Sequence, residues 1–259
     1  MKENLLLAID IGNTETTMGV FDGDELKATW HTATVIHRTA DEQAIMLFNL
    51  LNSRGIDASD VKEVSLCSVV PPITSIYEDM FRRHFKVSLL VVAAGIKTGV
   101  RICMDNPREV GADRIVDAVA AHHLYGGPVV VVDFGTATTF DTVSARGDYL
   151  GGAIAPGMIA AAEAMSQETA MLPRVELARP GSVIGTNTID AMKSGIVFGY
   201  VAMVEGMVAR IQRELGARTK VIATGGYAGL IAGETRVIDE VNPELTLIGL
   251  RLVYHMNQE

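Results

Sequence analysis

Hydrophobic residues in this chain gather in short, nearly unbroken runs: LLLAIDI from Leu5, VSLCSVV from Val64 and PVVVVDF from Pro128. Strands that are buried on both faces read this way, so a largely parallel sheet covered by helices is expected. Between the runs, apolar residues recur every third or fourth position over Asp41–Asn52, Ile73–Phe85, Met158–Ala170 and Thr188–Leu215, the period of amphipathic helices. The stripe of Ile189, Met192, Ile196, Tyr200, Met203, Met207 and Ile211 reads as core-facing.

The pattern occurs twice. LLLAIDIGNTETTMGVF is echoed by VVVVDFGTATTFDTV, so that Asp10 corresponds to Asp133 and Gly12 to Gly135, about half the chain apart. The first copy runs on through a turn at Asp22–Gly23–Asp24, a strand near Leu26–Thr32, the helix from Asp41, the strand VKEVSLCSVV, the helix from Ile73 and the strand SLLVVAA. The second continues through a turn at Ala145–Asp148, the strand YLGGAIAPG, two helices, KVIATGG, a short helix, TRVIDEV and a last helix from Pro243. Each half therefore reads as three strands, helix, strand, helix, strand. The join falls in the helix GADRIVDAVAAHHLYGGP, and the expected domains are 1–117 and 118–259, packed as lobes with a cleft between them.

Composition narrows the class. The chain has 259 residues, 48% of them hydrophobic and 20% charged, with a net charge of −9, which offers no basic face for a nucleic acid. Cys67 and Cys103 are read as reduced and structural, and no metal-ligand spacing is present. The opening MKENLLLAID is too short for a signal peptide, and no apolar run approaches the roughly 20 residues of a membrane span. A cytoplasmic protein with no membrane partner is the expectation. His122 and His123 are adjacent on a helix and diverge, so they form no zinc pair.

Chemistry concentrates at the two repeated turns. Glycine at 12 and 135 permits positive φ and close backbone approach, while the amide and hydroxyl groups around it make a concavity suited to phosphate oxygens. A carboxylate at the strand end is placed to hold a cation beside those oxygens. Neither G-x-x-x-x-G-K-[ST] nor a strand followed by G-x-G-x-x-G occurs, so phosphates are assigned to the two turns. Gly225 and Gly226, after KVIAT, open a helix where a flat base or a phosphate could lie; a plain strand-to-helix turn is the alternative.

DIGNT at Asp10–Thr14, GADR at Gly111–Arg114, DFGTATT at Asp133–Thr139, GGAIAPG at Gly151–Gly157, NTIDAMKSG at Asn187–Gly195 and ATGG at Ala223–Gly226 together resemble the ordered signature of the type III pantothenate kinases. DNPREVGADRIVDAVAAHHLYGG is the most specific stretch, and the resemblance covers essentially the whole chain. It implies an α/β fold of duplicated actin-like (ribonuclease H-like) lobes, each a mixed sheet flanked by helices. The implied activity is ATP-dependent phosphorylation of the primary hydroxyl of pantothenate, the first step toward coenzyme A.

The resemblance also distributes roles. Asp113 matches the catalytic base; otherwise it is a carboxylate favoured by a helix N-terminus. Gly111, Ala112, Asp113 and Arg114 match pantothenate contacts, with a salt bridge to Glu109 or Asp117 as the plainer use of Arg114. ATP is implied along Asp10, Ile11, Gly12, Asn13, Thr14, Glu15, Thr16 and Thr17, and at Thr136, Gly225 and Gly226. Asp10 would hold Mg²⁺, through water, and Asp133 a monovalent cation, K⁺ or NH₄⁺. Thr188 matches a substrate contact and could equally be a helix-cap hydroxyl; in the family this region helps form a homodimer whose partner completes the pantothenate pocket.

One position departs from the family. Members commonly carry Tyr before the D/E-N-P run, where this chain has Met104, whose thioether fills apolar volume but donates no hydrogen bond. That keeps open a kinase acting on another small hydroxyl acceptor. A non-catalytic regulatory relative would be expected to lose a key carboxylate, yet Asp10, Asp113 and Asp133 are all present.

Overall fold

The computed structural model describes residues 4–169 and 171–258. In the first half, β1 (Leu5–Ile11), β2 (Glu15–Asp22), β3 (Glu25–Ala33), β4 (Val61–Ser68) and β5 (Leu89–Val91) form one sheet in the order β3-β2-β1-β4-β5. β6 (Val129–Phe134), β7 (Ala137–Val143), β8 (Tyr149–Pro156), β9 (Lys220–Thr224) and β10 (Glu240–Val241) form the other, in the order β8-β7-β6-β9-β10. In each sheet the first three strands pair antiparallel and the last two add parallel. The repeat read in the sequence is thus matched strand for strand.

The helices are α1 (Ala40–Ser53), α2 (Pro71–Met80), α3 (Ala112–Tyr125), α4 (Met158–Glu168), α5 (Thr188–Leu215), α6 (Ala228–Ala232) and α7 (Leu245–Met256). Thr39 and Glu42 close a reciprocal capping box on α1. Pro71 and Pro72 open α2, where a missing N–H costs nothing, and a wider π-type turn over Phe81–Phe85 ends that segment. α4 stops at Glu168, short of its expected end, with Thr169 already extended; Ala170 lies outside the described residues, as do Met1 to Glu3 of the opening stretch.

Two compact units emerge, and they interleave along the chain. One holds the residues up to Gly99, Asn106–Ala120 and those from Thr246 onward; the other holds Val100–Asp105 and Ala121–Leu245. The single cut at 117/118 expected from sequence assigns the last helix to the second half, whereas α7 clusters with the first sheet. The reason is packing: Leu247 lies against Gly19 of β2, and a Cβ on Gly249 would overlap the Val116 carbonyl of α3. In that unit Leu5, Leu7, Ile9 and Ile11 join Leu47, Leu51, Ile73, Tyr77 and Phe81 in one core, while Leu6 and Ala8 are buried on the opposite face.

In the second unit Val130, Val132, Phe134 and Phe140 meet Met158, Ile196, Val197, Val201, Val204 and Ile231. α5 is the one helix among the described residues long and apolar enough by composition to cross a membrane. Ile196, Val197, Val201, Val204 and Val208 bury one face of it in this core, as an amphipathic helix does, whereas Ile189 of the expected stripe is exposed in the first turn. The expected strand TRVIDEV is reduced to Glu240–Val241. Asp239 explains the shortening, since its carboxylate accepts the Val221 N–H at 2.8 Å and so occupies a donor that a main-chain carbonyl would use in a continued ladder.

Candidate functional site

The first turn joins β1 to β2. Gly12 N–H donates to the Glu15 carbonyl at 2.9 Å, the Thr34 hydroxyl donates to the Gly12 carbonyl at 2.8 Å, and the Thr34 N–H donates to the Thr14 carbonyl at 2.9 Å. The end of β3 therefore clamps the turn from the side. Gly12 and Gly135 do not take positive φ, contrary to the expectation; at Gly12 the requirement is close approach, since a Cβ would stand 2.9 Å from the Glu15 carbonyl oxygen. Asn13, Thr14 and Glu15 are exposed and open to a ligand. Ile11 is buried, leaving only its main chain, and the buried Thr16 hydroxyl is shared with that of Thr34 at 2.9 Å. Thr17 is half-buried and bonds His31 Nδ1 at 3.3 Å, while Glu15 meets the same nitrogen at 3.0 Å.

Asp10 sits one residue before the end of β1, on the same face as Leu6 and Ala8. Burial pushes its carboxyl up to about 7; the Cys67 thiol, donating to Oδ1 at 3.1 Å, opposes that shift, and the charges of Asp113 and Glu15 reinforce it. Burial, with the Asp10 charge behind it, raises the Cys67 thiol in turn. Cys67, read from the sequence as structural, is thus a contact of Asp10; the parallel pairing of β1 with β4 sets the two opposite each other.

Asp113 lies in the first turn of α3, half-buried, with Oδ1 accepting the Arg114 N–H at 2.8 Å. Gly111, whose carbonyl accepts the Ile115 N–H, is bare where a Cβ would overlap Asp113 Oδ1. Ala112 and Arg114 are half-buried beside it. In this unit the structure thus gathers Asp10, Glu15, Cys67 and Asp113 into one electrostatically coupled group.

The second turn joins β6 to β7 and is one residue tighter: Gly135 N–H reaches the Ala137 carbonyl at 3.0 Å, and Asp133 pairs with Thr139 where Asp10 pairs with Thr17. Thr136 is exposed. Asp133 also sits opposite Thr224, which brings Gly225 beside it. Gly225 has φ +86°, and a Cβ there would overlap Asp133 Oδ1 and crowd the Phe134 main chain, so no other residue fits. Gly226 is exposed, with open space where its side chain would be.

Thr188 is the first residue of α5, and the cap itself is Asn187, whose side chain accepts the Asp190 N–H at 2.9 Å. The cap-hydroxyl reading of Thr188 is therefore corrected. Thr188 is exposed instead, and it lines a groove of about 800 Å³ together with Met165, Leu172, Met192, Ile196 and Tyr200. Met104 is 36% exposed and packs over Gly151.

No group of three or more His, Cys, Asp or Glu side chains able to cage a metal occurs among the described residues. That donor set fits an ion held by one carboxylate and its own waters, the usual way proteins bind Mg²⁺. Asp10, with other carboxylates nearby, is the residue of the first turn that could hold such an ion, and Asp133 stands at the corresponding strand end of the second.

Duplicated five-stranded sheets, each carrying a carboxylate-ended hairpin turn, define an actin-like α/β protein. Solved structures share that fold: a Baf family protein from Campylobacter jejuni at 18% identity and TM-score 0.61, covering 97% of this chain and 98% of that one, and the ROK hexokinase from Thermus thermophilus at 14% identity and TM-score 0.53, covering 98% and 100%. The sequence model of the type III pantothenate kinases matches residues 6–210. Relatives so named include one from Dehalococcoides mccartyi, 55% identical over 98% of both chains, and one from Moorella thermoacetica, 51% identical over 98% of this chain and 100% of its own. This chain belongs to the type III pantothenate kinase family.

Proposed function

We propose that the protein transfers the γ-phosphoryl group of ATP to the primary hydroxyl of pantothenate, giving 4'-phosphopantothenate, the first step of coenzyme A biosynthesis. Family membership over nearly the whole chain carries this reading, with Asp10, Asp113 and Asp133 all in place. Phosphoryl transfer needs positioning and charge neutralisation more than covalent chemistry. Asp113 would accept the hydroxyl proton as the oxygen attacks, and Arg114 would hold the pantothenate carboxylate. The amides and hydroxyls of the first turn, with Thr136 of the second, would orient the polyphosphate, while Gly226 has open space for the nucleotide and Gly225 would meet it through its main chain, the Cβ side being taken by Asp133.

Mg²⁺ held through water by Asp10 would draw charge from the phosphate oxygens, and K⁺ or NH₄⁺ at Asp133 would add to that neutralisation. Thr188 would meet pantothenate, and a homodimer would bring it there from the partner. The protein is assigned to the cytoplasm. Met104 supports a second reading, another small hydroxyl acceptor, because the position lacks the phenol that family members carry.

A coupled ADP-release assay with pantothenate, pantetheine and a sugar panel, with and without K⁺, tests both readings. Turnover of pantothenate that rises with K⁺ is expected. Turnover of another acceptor with none of pantothenate would replace the first reading by the second.

A further inference from the structure

Tyr149, at the start of β8, is fully buried and ties two parts of the second unit together. Its hydroxyl donates to Asp141 Oδ1 at 2.6 Å, and the Thr139 hydroxyl donates to Oδ2 of the same carboxylate at 2.8 Å. Asp141 is 1% exposed and lies on the sheet face opposite Phe140 and the α4–α5 core. A carboxylate so deep requires donors of this kind on both oxygens.

The main chain of the same tyrosine faces outward. Its N–H donates to the Arg101 carbonyl at 2.8 Å and its carbonyl accepts the Cys103 N–H at 2.8 Å, so that residues 101–103 lie as a one-residue parallel bridge on the edge of β8. The β7–β8 register slips here: Val143 pairs with Tyr149 and Thr142 with Gly151, leaving Leu150 as an extra residue. A bulge of this sort re-aims an edge strand. Gly151 then takes φ +112°, and the Met104 sulfur occupies the space 2.8 Å from where its Cβ would stand.

We propose that the Asp141–Tyr149 pair positions the 101–104 strap and, through it, Met104, setting affinity for the acceptor without touching it. The proposal rests on the pantothenate reading above. Asp141 fixes the ring of Tyr149, the ring fixes its main chain in the bulge, and the main chain seats the strap.

Tyr149→Phe removes the hydroxyl and keeps the ring. Two quantities decide the matter: hydrogen exchange at the Cys103 amide without ligands, and KM for pantothenate against KM for ATP and kcat. Exchange at Cys103 is expected to quicken about tenfold and KM for pantothenate to rise by up to about tenfold, the effect of one lost hydrogen bond. KM for ATP and kcat should hold. Asp141→Asn, which still offers the tyrosine an acceptor, should shift both quantities less, and it carries the same readout if Tyr149→Phe does not fold. Unmoved Cys103 exchange and pantothenate KM, or equal changes in every kinetic constant, would overturn the proposal. A wild-type protein with no pantothenate turnover would instead defeat the functional reading, and exchange alone would then decide whether the pair anchors the strap.

Discussion

Asp10 is ionised at a cost. In the unfolded chain it titrates near the ordinary value of 3.8, but in the folded, metal-free protein burial and the charges of Asp113 and Glu15 hold it near 7 against the Cys67 thiol. Between those values the folded form keeps a proton that the unfolded form has released, so this group's contribution to stability falls as pH rises from about 4 to 7 and is flat above. Asp10→Asn removes the cost. It is expected to melt higher than wild type at pH 8 without Mg²⁺ or nucleotide, with the gap closing toward pH 4 in scanning calorimetry; a gap independent of pH would exclude the shift. Asp113→Asn should leave the protein folded and lower kcat by about 10²–10⁴, the range for a lost general base. Near-normal kcat would remove Asp113 from that role.

At the scale of the element, the second hairpin depends on one backbone conformation. Gly225→Ala places a methyl group against Asp133 at φ +86°, where an L-residue costs about 1–2 kcal/mol before any overlap is counted. A melting temperature several degrees lower and a loss of any K⁺ response in the ADP-release assay are the expected outcomes. The hairpins were legible in the sequence because a buried run, an acid, a glycine and a hydroxyl-rich strand are local signals. Contacts formed by register are not local: Cys67 reaches Asp10 from 57 residues away, and nothing around either residue announces the other. The two-residue β10 was over-read because Val237 and Ile238 carry the β-branched signal of a strand while Asp239 interrupts the ladder.

For the whole molecule, the repeat foretold the shared topology of the sheets, but a single cut in the chain missed the placement of α7. Hydrophobic period marks α7 as a helix and says nothing of which sheet it covers. Leu247, Leu250 and Val253 are buried to 2%, 0% and 0% exposure, and each such side chain contributes about 1.5–3 kcal/mol. Their sum is comparable with the roughly 5–15 kcal/mol that holds a typical domain folded. Ending the chain before Thr246 should therefore unfold the first unit, seen as lost ellipticity and lost protection of the β1 and β2 amides. Retained protection there would show that α7 is dispensable.

That arrangement also constrains biosynthesis. The ribosome makes β2 long before α7, the helix that packs Leu247 against it, so the nascent chain carries a half-clad apolar surface until α7 emerges. The later-encoded sheet can acquire its helices sooner after emergence, reversing the usual order in which amino-terminal parts mature first.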